Sequence, residues 1–293
     1  MKTRRIRKEE ITIYLFLAVP LAWYAIFFIA PNLNSLFSSF YAWDGLAPVK
    51  VFVGLDNFAK MFGSALFHKA FVNTIKYTVT LVVFQTLCGL ALAVLVFRAS
   101  RLHNFFRTIY FMPAMLSAVT IGLVFGFIYD PNMGALNALL RAAGLGDMAT
   151  AWLAHETYAI YSVAAVHVWA GIGYSVVLFV AGMQNIPFEL YESAVIDGAG
   201  AWKQFTHITM PMLKTTTLIV LVLTTIGGFR CFEYVYVMTK GGATHSSEVL
   251  ATLLYKEAYA YSDFGYSAAL SVALLAIVSA VTVVQMRLFR KDT

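Results

Sequence analysis

Residues Gln184–Leu213, QNIPFELYESAVIDGAGAWKQFTHITMPML, form a polar interruption between two long apolar runs, about 158–182 and 215–238. Each run is long enough to cross a bilayer as a helix. The stretch itself reads as a helix–turn–helix. Pro187 stands near a first helical turn, and Glu189 and Glu192 follow where the positive end of the helix dipole favours acids. Gly198 and Gly200 break the run, and a second short helix, Ala201 to Thr209, carries Trp202 and Phe205 at i, i+3 spacing before Pro211 closes it. A loop that only joins two membrane helices accounts for this much; a surface that receives another protein is the other reading.

Working outward, the whole chain has the composition of a membrane protein. It has 293 residues, 60% hydrophobic and 12% charged, and a mean hydropathy of +0.74. A soluble domain carries about twice that charged share. Cys88 and Cys231 both fall in apolar runs, so no disulfide framework is implied. The pI of 9.2 and net charge of +6 do not indicate nucleic acid, because the cations flank apolar runs and read as orientation signals.

Six apolar runs are expected as transmembrane helices: about 11–40, 71–97, 105–129, 158–182, 215–238 and 265–289. The fold class is therefore all-α integral membrane, with a basic tail over residues 1–10 and one transmembrane domain over 11–293. The first run is too long for a signal peptide and has no clear small-x-small cleavage site, so a retained helix is expected, bent at Pro20 and Pro31. Asn73-Thr74 open the second run, and Lys76 lies where its side chain can reach the headgroups. The third has Pro113 and a Gly122/Gly126 pair that lets a neighbouring helix approach. The loop 130–156 has room for a short amphipathic helix, and the loop 239–264 reads as polar. With the N-terminus inside, thirteen of the 21 Lys and Arg flank the cytosolic ends and six the outer ends, Lys76 and Arg230 being intramembrane. Both termini and residues 184–213 are thus expected in the cytosol.

No catalytic constellation is present. The chain has no Gly-x4-Gly-Lys-Ser/Thr phosphate loop, His155-Glu156 lacks the second zincin histidine, and the six histidines show no metal-ligand spacing. The informative polar groups are intramembrane, where a charge costs about 2.5–3.5 kcal/mol on insertion scales. Arg230 and Glu233, at i, i+3 in the fifth run, are expected on one helix surface, either paired or facing a solute. His167, Gly171 and Tyr174 fall at i, i+4, i+7 in the fourth run, and Thr224, Gly228 and Cys231 repeat that spacing in the fifth, with Tyr234 one turn on. Small residues beside Tyr, His and Thr suit a hydroxylated ligand. They also suit helix packing, to which Gly228 and Cys231 lean, while Tyr174 leans to the ligand.

The spacing of Glu192, Ser193, Ala194, Asp197, Gly198, Ala199, Phe205, Ile208 and Pro211 resembles the EAA loop of ABC importer permeases. Ser193 for the family's second Ala and Met210 for its Leu are changes in size only. Val53-Gly54-Leu55-Asp56-Asn57-Phe58, Phe232 to Thr239, Gly241-Gly242 and Phe264-Gly265-Tyr266 resemble the carbohydrate subclass, similar to maltose, glycerol-3-phosphate and multiple-sugar permeases. Glu233, Lys240 and Ala243 depart from its habit of Phe-Asp and Thr-x-Gly-Gly-Pro.

The resemblance implies a type I ABC importer permease fold and a four-part transporter in a bacterial or archaeal cytoplasmic membrane. Its other members are a second, unlike permease, two ABC ATPase subunits that carry ATP and Mg, and an extracytoplasmic solute-binding protein. It implies that this chain is not itself an enzyme, that residues 184–213 dock on an ATPase with Trp202 and Phe205 as anchors, and that a sugar-like solute passes between the flanking spans. Two other functions remain open: an ion-coupled secondary transporter using Arg230 and Glu233, and a membrane receptor or scaffold that does not transport.

Overall fold

A computed structural model of the chain describes residues 8–98 and 108–290, with side chains for 16–97 and 108–289. The basic tail up to Arg7, the loop carrying Arg101 and Arg107, and Lys291 lie outside the described residues. Thirteen helices are labelled here in chain order: α1 Lys8–Tyr24, α2 Ala30–Ser38, α3 Asp56–Gly63, α4 Ala65–Arg98, α5 Ala118–Ile128, α6 Ala135–Ala142 and α7 Ala159–Gln184. They continue as α8 Phe188–Ile196, α9 Ala201–Met212, α10 Lys214–Phe229, α11 Glu233–Thr239, α12 Leu250–Tyr259 and α13 Phe264–Arg290. Among the described residues, four helices are long and apolar enough to cross a membrane: 16–38, 65–97, 159–184 and 264–289. The count is six if each bent pair is one span, the pairs being Thr108–Met115 with α5, at 101°, and α9 with α10, at 65°.

Contacts divide the chain into two compact units. The larger, residues 64–253 with 274–293, is built on α4 and α7, which run side by side because small residues face each other. A Cβ built on Gly89 would lie 2.7 Å from Ser175 Cβ, so the two backbones are nearly touching. Tyr77, Leu81, Ile121, Ile160, Val163, Ala170, Cys231 and Tyr234 form one buried apolar cluster. Leu90, Ala93, Val176, Phe179, Met183, Leu213 and Val220 form a second. Gly122 packs against Val237 of α11, as its spacing suggests, whereas nothing approaches Gly126.

In the smaller unit, residues up to Gly63 with 254–273, Tyr41–Ala42 and Val51–Phe52 pair as a short antiparallel ladder, a small departure from an all-helical chain. Asn57 donates to the carbonyls of Ser39 and Tyr41, and Lys60 Nζ donates to Asp263 Oδ2 at 2.6 Å. Burial works against the Lys60 ammonium, yet Asp263 and, further off, Glu257 hold its pKa above the ordinary lysine value. With the two side chains 55% and 32% exposed, this pair contributes no more than about 1 kcal/mol.

Four sequence expectations change. The second long helix starts at Ala65, six residues early. The loop 239–264 holds a ten-residue helix, α12. The first span is interrupted by a π turn at Ala25–Ile29, five residues upstream of which α1 passes through Pro20 without a break. A second π turn, Phe205–Thr209, lies in α9. Both π turns end two residues before a proline, Pro31 and Pro211. A proline ring clashes with the carbonyl four residues back, here Phe27 and His207, and the wider turn opens room at that point. Pro211 therefore lies inside α9 and shapes it, where a terminator was expected.

Candidate functional site: a capped two-helix loop

Pro187, with φ −57° and ψ 130°, is the N-cap of α8, and Glu189 stands in the first turn. The helix ends in a Schellman motif. Asp197 is the C-cap, and Gly198 follows with φ +71°. The Gly198 N–H donates to Val195 O at 3.0 Å, and the Ala199 N–H donates to Ala194 O at 2.8 Å, satisfying two carbonyls that a helix end leaves open. The spacing from Ala194 to Ala199 is therefore the spacing of a cap, with glycine at the one left-handed position. Gly200 is the extended N-cap of α9, and Gln204 Nε2 returns to Ala199 O at 2.8 Å to fix the turn.

The loop has two faces. Phe205 and Ile208 pack against the second apolar cluster. Tyr191 OH and Thr209 Oγ1, 2.9 Å apart, bolt α8 to α9. Outward, Ile196 is 86% exposed and Trp202 75%, with Phe188 and Val195 exposed beside them. Glu192, Ser193 and Asp197 are exposed too. Trp202 and Phe205, ring centroids 5.7 Å apart, were expected to act together at a partner. The rings touch each other, with Phe205 half-buried against the second cluster and Trp202 on the surface. Between loop and spans lies a cavity of about 630 Å³, lined by Val94, Met183, Phe188, Tyr191, Glu192 and Phe205 among others. The Tyr191–Thr209 bond joins residues 18 apart and has no sequence signal; it depends on how the two helices fold back.

The residues chosen for a solute path also divide. His167 Nδ1 is 2.9 Å from Tyr77 OH, and its ring stacks on Tyr234 at 4.6 Å. Gln85 Nε2 donates to Gly171 O at 3.0 Å and Ser175 Oγ at 3.1 Å. A Cβ on Gly228 would lie 2.9 Å from Thr78 Cα, and Thr224 bonds back to Val220 O. Tyr77, Thr78 and Gln85, all on α4, are thus members of this group that the periodicity of the fourth and fifth runs does not reach.

The fifth run is the clearest correction. It is not one helix to Met238: α10 ends at Phe229, Arg230 is its C-cap, and α11 begins at Glu233. Arg230 and Glu233 therefore do not share a helix surface, and among the described residues no ion pair joins them. Both are exposed, as is Tyr174. Cys231 leaves the Thr224/Gly228 stripe because it follows the helix end, and it is buried in the first cluster with Tyr234.

Residues 85–291 match the family described as the binding-protein-dependent transport system inner membrane component. The chain belongs to this family. As a permease of it, the chain is 39% identical to the probable ABC transporter permease protein YurN of Bacillus subtilis (strain 168), over 97% of this chain and 98% of that one. It is 35% identical to the diacetylchitobiose uptake system permease protein NgcF of Streptomyces coelicolor, over 94% and 82%. The fold is that of a permease chain in a bacterial alginate ABC transporter solved in complex with an alginate pentasaccharide-bound periplasmic protein. There the TM-score is 0.86 at 21% identity, covering 98% and 96% of the two chains.

Proposed function

We propose that this permease is the carbohydrate-conducting subunit of an ATP-driven importer, and that residues 184–213 receive motion from a separate ATPase subunit. The observation that carries the coupling role is the two-faced loop: Ile196 and Trp202 exposed on one side, Phe205 and Ile208 rooted in the span core on the other. A partner that pushes on the outer face moves the inner one. The substrate class follows the family resemblance, supported by the diacetylchitobiose and alginate named for two of its relatives. The same reading supplies the partners: a second, unlike permease, two ATPases carrying ATP and Mg, and an extracytoplasmic solute-binding protein. Charge counting supports cytosolic termini and a cytosolic loop.

Uptake into sealed vesicles tests this. Solute accumulation should require ATP on the loop side and the binding protein on the other. Accumulation driven by an ion gradient without ATP overturns the reading in favour of an ion-coupled carrier, and ATPase binding without any solute movement favours a scaffold.

Two substitutions separate the site's parts. Trp202→Ala removes an exposed ring and its contact with Phe205, so thermal stability should fall by no more than about 1 kcal/mol. ATPase association should weaken about tenfold, as for an interface aromatic of moderate weight. Equal association of both proteins would exclude Trp202 from the docking surface. Tyr174→Ala should raise the KM for solute several-fold with normal assembly, measured as initial uptake rates against binding-protein-bound solute; an assembly defect alone would return Tyr174 to packing.

A further inference from the structure

Close backbone approach makes α4, α7 and α10 one packed body. A Cβ on Gly89, Gly228 or Gly182 would run into Ser175, Thr78 or Thr216 of the neighbouring helix. Helices joined through such contacts cannot shift against one another without a clash, so they move together. The end of α13 is attached differently. Gln285 Nε2 donates to Thr225 Oγ1 at 2.8 Å, while Gln285 Oε1 is buried with no hydrogen-bond partner among the described residues. The amide is held at one of its two polar atoms, which fixes a point and not an angle. To one side of this crossing the helices part: Thr215 and Leu218 of α10 and Val283 and Met286 of α13 are among the residues that line a cavity of about 450 Å³. Thr225 lies seven residues beyond Leu218, about 10 Å along the helix axis.

We propose that the Gln285–Thr225 contact is a pivot, about which α13 and the α4–α7–α10 body change angle during transport while the cavity beside it closes and opens. Gln285 is then a positioning residue of the transport cycle, keeping one point of the two helices together as the rest separates. The proposal rests on the importer reading above. The chain from the coupling loop enters α10 at Lys214, on the cavity side of the crossing. A displacement delivered there with Thr225 held turns α10 about Gln285. The chemistry favours holding at this point: inside a span no water replaces a lost partner, so the amide bond persists. The apolar walls of the cavity have no directional bonds to satisfy and close at little cost.

The assembled transporter, reconstituted in vesicles, tests this in two ways. Thr215→Cys with Met286→Cys places two exposed thiols across the cavity. Bridging them with a short bis-thiosulfonate should lower ATP-driven uptake about tenfold or more, and reductant should restore it. The unaltered protein, with Cys88 and Cys231, is the reagent control. Undiminished uptake with the bridge complete overturns the pivot. Where the cysteine pair assembles poorly, Met286→Trp narrows the cavity instead and should lower uptake several-fold at unchanged subunit association; full uptake by that variant overturns the proposal as well. At the crossing, Gln285→Leu and Thr225→Val should each raise the ATP consumed per solute about fivefold, the scale of one lost hydrogen bond, and the double variant should do no more than either alone. An unchanged ratio in both single variants, even with a lowered melting temperature, makes the bond merely structural and overturns its role. Failure of the importer reading looks different: the unaltered protein would show no ATP-driven uptake at all.

Discussion

Gly198→Val should abolish measurable uptake while Gly198→Asn retains most of it. The cause is backbone geometry: Gly198 has φ +71°, and a Cβ added there meets nothing within 4 Å. Space does not distinguish the two variants; the left-handed conformation does. A β-branched residue is a marked outlier at positive φ, whereas Asn adopts it readily. Left-handed strain of about 1–2 kcal/mol adds to two cap hydrogen bonds, to Val195 O and Ala194 O, worth about 0.5–1.5 kcal/mol each. The sum, about 2–5 kcal/mol, shifts the turn's equilibrium by a factor between about 30 and several thousand. Vesicle uptake and ATPase co-purification, measured on the same preparations, read the two consequences. Equal uptake by the Val and Asn variants would exclude a requirement for the cap.

Asn73→Leu should be the most destabilising single change outside the coupling loop. Asn73 sits near the start of α4, and its side-chain amide donates to Ser246 O and Glu248 O at 3.1 Å, with His245 O at 3.4 Å. The neighbouring Thr74 Oγ1 accepts the Leu250 N–H at 2.9 Å. Together they hold the segment between α11 and α12 against α4. Leucine is close in volume but donates nothing, so two buried carbonyls lose their partner at about 1–3 kcal/mol each. By contrast, breaking the half-exposed Lys60–Asp263 pair costs no more than about 1 kcal/mol. Scanning fluorimetry of the purified transporter should show Asn73→Leu unfolding several degrees lower and Lys60→Met barely moved. The reverse order would mean that exposed charge, and not buried amide chemistry, holds these loops.

Asn73-Thr74 illustrates what the chain reveals before folding. A polar pair opening an apolar run is visible, but its partners lie some 175 positions away and no periodicity connects them. The spans were legible because bilayer length and hydropathy need only local counting. The stop at Gly198 was legible because a glycine break is local too, and the cap around it came with the structure. The break at Arg230–Phe232 was not, since neither Gly nor Pro stands within it. It goes with tertiary packing that buries Cys231 and Tyr234 in the first cluster and leaves Arg230, just before them, exposed. Leu250–Tyr259 was hidden for a related reason: Lys256 and Glu257 make it read as a polar loop, although its other face is buried. At the candidate site, residue identities were readable and their burial was not, as half-buried Phe205 beside exposed Trp202 demonstrates.

The π turn before Pro211 bears on how a displacement crosses from α9 to α10. An α turn there would return the Pro211 ring to a clash with the His207 carbonyl, so this elbow cannot tighten and relax as an ordinary helix does. The 65° corner that follows is thus set by main-chain chemistry as well as by contacts. On the proposed coupling role, a tilt imposed at Trp202 should reach Lys214 as a turn of a stiff crank, with little lost motion at the joint.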